Sequence, residues 1–301
     1  MNLAAWSAAL AAALLASAGF AGHVVDDVPA ALFGAARLLL GGVGLALFAG
    51  AGALRALRAM PPLPLTIAAL SLALFQWSYF EALTRGGVGM VALASAGSSP
   101  VAADALEVIL GRRPAWRFIV VASLTAGAVW LLARGAPAGA IAFAVLSGAA
   151  YAVYAAATRQ LELRRAGTGA VSTAAAMLLG GLLLLAPVAD RLPALLSVRT
   201  TLVAIYLGLV ATALAYALVI FSLRHLSASR TLTILLAQPL LAIAAGAWLL
   251  GEPVNATLAA AAAALAGALA LRALPDRFFL PSLFLKGLHL AQPVPPRPSD
   301  R

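Results

Sequence analysis

The chain contains no cysteine. That removes disulfides and thiolate metal or redox chemistry, and it leaves the compartment open. Histidine is scarce too. His23, His225 and His289 stand far apart with no ligand spacing, so no metal site is expected. Only 10% of the 301 residues are charged, against about 25% in an ordinary soluble domain. Acids are the scarcer sign, ten against twenty bases, for a net charge of +10. In a soluble chain that balance suggests nucleic acid. Here the arginines stand singly or in pairs between apolar runs, which fits helix anchors at a membrane face and no nucleic-acid partner. The sequence also lacks an HExxH pair, a GxSxG elbow and a P-loop. The last absence argues against a self-contained ATP-driven pump. No cofactor is expected.

What is present is apolar. Hydrophobic residues make up 63% of the chain, and the mean hydropathy is +1.01. A water-soluble globule cannot hide that much apolar surface, so the solvent is a bilayer. A spanning helix needs about 20 apolar residues. Ten stretches qualify: Leu3–Gly22, Ala30–Ala53, Leu65–Leu83, Val88–Leu110, Trp116–Ala133, Ala138–Ala157, Thr168–Val188, Thr200–Leu223, Thr231–Leu250 and Ala256–Leu274. Backbone polar groups in lipid must be satisfied internally, which makes these stretches helices. The expected class is an all-α membrane protein with ten transmembrane helices.

The first stretch holds Ala16-Ser17-Ala18, a pattern that suits signal-peptide cleavage, but no Lys or Arg precedes it. It is therefore read as a retained helix. With the N-terminus inside, fifteen basic residues fall in the inner loops and tail, and only Arg85, Arg134, Arg191 and Arg199 fall outside. That bias puts both termini in the cytoplasm. The tail, residues 276–301, includes "FFLPSLFLKGLHL", too short to span and broken by Pro281. An interfacial segment and a disordered tail both fit it.

Two long stretches match in kind. "YFEALTRGGVGMVALASAGSSPVAADALEVILGRRPAW" and "VIFSLRHLSASRTLTILLAQPLLAIAAGAWLLGEPVNA" each run from an aromatic-bearing helix end through a tight connector to a helix with a central proline. Pro100 and Pro239 are 139 apart, and Gly111 and Gly251 are 140 apart. The offset holds five spans, an odd number, so the second copy enters the membrane inverted. The expected organisation is a first five-helix repeat over 1–137 and an inverted second repeat over 138–275. Inverted repeats with broken helices are a secondary-transporter architecture with a site at the midplane.

At these residues the chain resembles the EamA type of the drug/metabolite transporter superfamily. "LLAQPLLAIAAGAWLLGEPVNATL" is similar to the family's proline helix followed by Gly-Glu. "AARLLLGGVGLAL" resembles its arginine-bearing second helix, and "LALFQWSYFEALTRGGVGMVALASAGSSPV" resembles its third and fourth helices. Two departures stand out. Gly111 is followed by Arg112 where the family often has Glu, and the first helix ends in "SAGFAG" without the family's tryptophan. The resemblance implies export of a small metabolite, an amino acid or related solute, across the bacterial inner membrane. Proton or counter-solute coupling would accompany it in some members. The rival from another class is a membrane-embedded enzyme acting on a lipid-linked or small polar substrate. The sequence does not decide the oligomeric state.

Arg37 is the costliest residue for a bilayer, about 3 kcal/mol at the centre of a span. It reads as a countercharge for a substrate carboxylate or phosphate, or else as a snorkelling side chain or a partner of Glu81 or Asp27. Gln76 and Tyr79 share a helix face and suit a cavity wall. Ser98 and Ser99 before Pro100, and Gln238 before Pro239, are matched in the repeats. They suit either a substrate site or hydrogen bonds between helices. Tyr151 and Tyr216 suit stacking on a substrate or ordinary packing. Glu81, Asp104 and Glu107 are candidates for a gate or for proton coupling, with Arg112 and Arg113 as partners of the last two. Glu252 reads as structural, capping the next helix or pairing with an outer arginine.

Overall fold

The computed structural model describes residues 3–23, 28–50, 56, 58–111, 116–163, 169–226, 231, 234–235 and 237–273. The tail 276–301, the acidic pair Asp26 and Asp27, and Arg112 and Arg113 lie outside the described residues. Among the described residues the chain is all-helical, without strands. The helices are α1 (Leu3–His23), α2 (Ala30–Ala49), α3 (Pro62–Leu83), α4 (Val88–Ile109), α5 (Trp116–Ala133), α6 (Ala138–Leu163), α7 (Gly169–Leu185), α8 (Val198–His225), α9 (Ala237–Leu250) and α10 (Ala256–Ala273).

Six of them, α1, α2, α3, α6, α7 with its continuation, and α8, are long and apolar enough to cross a membrane. In α4 the serines, Pro100, Asp104 and Glu107 dilute the apolar run. The last fifteen residues of α5 (Ile119–Ala133), α9 and the start of α10 are apolar but shorter. The bundle wears large apolar side chains outside: Trp6, Leu47, Phe48, Leu63, Trp130 and Trp248 are all exposed. A surface of that kind belongs against lipid rather than water.

Local chemistry sets the helix ends. α3 begins three residues earlier than the apolar run suggests, because Pro62 suits the first helical turn, where no amide donor is needed. α2 stops at Gly50, whose φ of 81° lets its N–H reach back to Ala46 and Leu47. Gly111 and Gly251 close α4 and α9 in the same left-handed conformation, with φ of 86° and 68°. α7 tightens into a 3-10 segment over Ala186–Leu195, where Pro187 and Pro193 each remove an amide donor. Ser197 caps α8 by accepting from the Thr200 amide at 3.2 Å. Asn255 caps α10 through the Leu258 amide at 2.8 Å.

α8 is not uniform. From Tyr206 to Leu214 its backbone widens to π-helical hydrogen bonding. Such bulges disturb the ladder and recur at functional sites. α8 is tied to α1 twice, by Ser17 against the Tyr206 hydroxyl at 2.6 Å and by Ser222 donating to the Ala4 carbonyl at 2.9 Å. α3 packs along α6, α2 along α7 and the wide part of α8, α4 along α6 and α9, and α10 along α5. Glycines permit the closest approaches, as in lipid-embedded bundles generally. A Cβ on Gly41 would lie 2.8 Å from the Thr212 methyl, and one on Gly180 would lie 2.7 Å from the Ala69 carbonyl.

Candidate functional site

Two apolar clusters fill the bundle. One holds Phe33, Phe80, Val91, Ala144 and Ala211, with Tyr79 and Tyr206 against it. The other holds Leu38, Leu72, Tyr154 and Met177, with Phe75, Tyr151 and Tyr216 against it. Between them α2, α3 and α8 each contribute one buried polar residue: Arg37, Gln76 and Thr212. These three are bonded together. The Arg37 Nε donates to the Thr212 hydroxyl at 2.8 Å, and one terminal nitrogen donates to the Gln76 carbonyl oxygen at 3.3 Å.

The backbone geometry behind this cluster is specific. Gly34 lies one turn before Arg37, and a Cβ there would sit 3.3 Å from the Gln76 Cβ, so α2 and α3 meet closely at that level. Gly41 lies one turn after Arg37 and packs on Thr212. The π-helical bulge leaves the Leu207 carbonyl to accept from the Thr212 hydroxyl at 2.7 Å, five residues back. That bond spends the hydroxyl's only proton and leaves its oxygen to accept from Arg37.

Arg37 is 7% exposed. A guanidinium has five N–H donors, and its two bonds are both to neutral groups. No carboxylate among the described residues lies within ion-pair distance of it. Glu81, one of its expected partners, is paired with Arg85, just past the end of α3. Arg85 in turn lies 4.6 Å over the Phe143 ring. Asp27, the other expected partner, is outside the described residues.

Aromatic rings continue the site. Phe75 lies 5.9 Å from Tyr79 and 5.3 Å from Tyr151, and Tyr151 lies 5.5 Å from Tyr154, centroid to centroid. Tyr151 and Tyr216 pack against the same cluster, and the Tyr154 hydroxyl donates to Thr173 at 3.2 Å. Tyr79, Tyr151 and Tyr216 are each half-buried. Five residues singled out by sequence, Arg37, Gln76, Tyr79, Tyr151 and Tyr216, thus converge from four helices. Thr212 was missed. Its signal was available: Thr212 and Tyr216 are four apart on α8 and share a face.

Known proteins resemble this chain in part. The model of the EamA-like transporter family matches residues 138–273. An uncharacterized transporter of Bacillus subtilis (strain 168), YwfM, is 28% identical over 229 residues, covering 73% of this chain and 76% of that protein. The chain is thus similar to transporters over residues 138–273, and its six long apolar helices make it a multi-pass membrane protein. A solved crystal structure of another protein shares the fold, with a TM-score of 0.65 at 20% identity, over 93% of this chain and 99% of that one.

The remaining candidates lie elsewhere. Ser98 donates to the Ser95 carbonyl at 3.2 Å and to the Val145 carbonyl at 3.3 Å, and Ser147 donates to the Ser95 hydroxyl at 2.7 Å. Gly148 presses against the same turn so closely that no Cβ fits. This is a serine–glycine seam joining α4 to α6. Ser99 and Pro100 are half-buried beside it, while Gln238 is half-buried and Pro239 buried on α9. No hydrogen bond among the described residues links them to Arg37. Asp104 is half-buried and Glu107 exposed, toward the far end of α4.

Glu252, of the family's Gly-Glu pair, caps a helix, but not the one that follows it. Its carboxylate accepts from the amides of Val88 at 2.7 Å and Gly89 at 3.3 Å, at the start of α4. α4 has no side-chain cap of its own, so Glu252 satisfies donors that would otherwise be orphaned, at the positive end of the helix dipole. Gly87 and Gly246 leave the room, since a Cβ on either would crowd the carboxylate. A cavity of about 190 Å³ opens beside it, lined by Gly86, Met90, Leu132, Pro137 and Leu258.

Proposed function

We propose that this protein is a secondary transporter that exports a small metabolite, an amino acid or a related carboxylate-bearing solute, across the bacterial inner membrane by alternating access. Arg37 carries the reading. A buried cation with neutral partners and spare donors is an expensive feature in lipid, and such residues mark substrate pathways. Its surroundings suit a midplane site: polar groups beside two apolar clusters, with half-buried tyrosines among them.

The two inverted five-helix repeats, over 1–137 and 138–275, belong to the same proposal. Ten spanning helices would then put both termini and the 276–301 tail in the cytoplasm, as the distribution of arginine favours. Packing supports the repeat. A shift of five helices turns α3 on α6 into α8 on α1, α4 on α6 into α9 on α1, and α3 on α7 into α8 on α2. The left-handed glycines Gly111 and Gly251 are exchanged by the same shift. Under this reading Arg37 and Gln76 come from one repeat and Thr212 and Tyr216 from the other, so the site lies where the halves meet. Glu81, Asp104 and Glu107 remain the candidates for proton or counter-solute coupling. Ser98, Ser99 and Gln238 would serve the rocking of α4 and α9.

The test is a metabolite-wide export comparison of cells with and without the gene. Counterflow of the solute so identified, with purified protein in liposomes, completes it. Saturable counterflow is the expected result. Chemical turnover of the solute without translocation would overturn the transporter reading.

A further inference from the structure

We propose that the ligand of the Arg37 cluster is an organic monoanion, with its carboxylate on Arg37 and an aromatic or bulky apolar body against Phe75, Tyr79 and Tyr151. The proposal rests on the transporter reading only for translocation, since binding alone can test it.

The argument is one of charge balance in a low-dielectric interior. Both partners of Arg37 are neutral. Among the described residues no carboxylate pairs with it, and Glu81, an expected partner, is committed to Arg85. The site therefore holds one uncompensated positive charge, and burying such a charge is costly until a counterion arrives. A single carboxylate cancels it and takes the donors that Thr212 and Gln76 leave unused.

Other charge types balance less well. A zwitterion restores a net charge of one and brings an ammonium that needs its own acceptors. The Gln76 carbonyl oxygen and the Thr212 hydroxyl already serve Arg37. A cation doubles the charge. A dianion inverts it, and no second cation among the described residues forms part of the cluster. The body of the ligand follows from the rings. Phe75, Tyr79 and Tyr151 form a continuous aromatic wall with centroid spacings of 5.9 and 5.3 Å, a surface suited to stacking.

Three probes share one skeleton and differ in charge: 3-phenylpropanoate, phenylalanine and 2-phenylethylamine. Equilibrium binding to the purified full chain at neutral pH, by thermal shift and tryptophan fluorescence, ranks them. The expected order is the anion at least about tenfold tighter than the zwitterion, with no saturable binding of the cation. Arg37→Gln should level the order, while Arg37→Lys should keep it at lower affinity. A size-exclusion profile shows that each variant is folded. Phenylalanine binding as tightly as the anion overturns the proposal, as does an order that survives Arg37→Gln or no saturable binding by any probe. Liposome counterflow separates the two readings. Preferential transport of zwitterions would sink the ligand class and leave the transporter standing. The expected binding order without translocation would do the reverse.

Discussion

Arg37 and Glu252 are two charges within an apolar bundle, and they are satisfied in opposite ways. Glu252 spends both carboxylate oxygens on the backbone amides of Val88 and Gly89, at the spot where an uncapped helix begins. Its chemistry is closed, and it holds the connection between α9 and α10 to the start of α4. Arg37 gives two donors to neutral side chains and has no further hydrogen bond among the described residues, with half-buried tyrosines on the helices beside it. On the proposed reading, the contrast separates a charge that holds the fold from one that receives the solute. Depth alone does not distinguish them, whereas unused bonding capacity does.

The comparison can be broken most sharply at Arg37. Arg37→Ala should reduce substrate counterflow about 100-fold or more, the scale of a lost buried charge contact, at unchanged protein yield. At the other charge, Glu252→Ala exposes two unpaired amides and should lower stability by about 1–2 kcal/mol. Thermal unfolding in detergent measures that, and transport per folded molecule should stay within about threefold, as expected for a cap remote from the bound solute. A smaller effect is expected at Gly41, where a Cβ meets the Thr212 methyl at 2.8 Å. Gly41→Ala should push Thr212 off Arg37 and cost about 1 kcal/mol of substrate affinity, read by titration. Tyr216→Phe removes one hydroxyl from the edge of the cluster and should change affinity less than about threefold.

Much of the architecture was legible in the chain because helices in lipid need long apolar runs, and those runs are plain between Leu3 and Leu274. Arg37, Gln76, Tyr79, Tyr151 and Tyr216 were legible because a polar group in such a run stands out. What the sequence hid depended on neighbours distant in the chain. Thr212 is an ordinary threonine until the π-helical stretch of α8 and Gly41 of α2 bring its oxygen to Arg37. Glu252 was expected to cap the next helix or meet an arginine. Its partners are 163 and 164 residues away, and the clue was a helix start, Gly87-Val88, with no capping side chain. Ser98 has the same lesson in reverse. The serine–serine–proline run stood out, but the fit of Gly148 against it joins α4 to α6.

The central claim is that the unmatched charge of Arg37 receives the transported solute while that of Glu252 only holds the fold. One paired measurement tests it directly: counterflow of the identified solute by Arg37→Ala and Glu252→Ala in the same liposome preparation, per folded molecule. Loss of transport in the first with transport retained in the second is the expected result. Retained transport in Arg37→Ala, or equal loss in both, would contradict it.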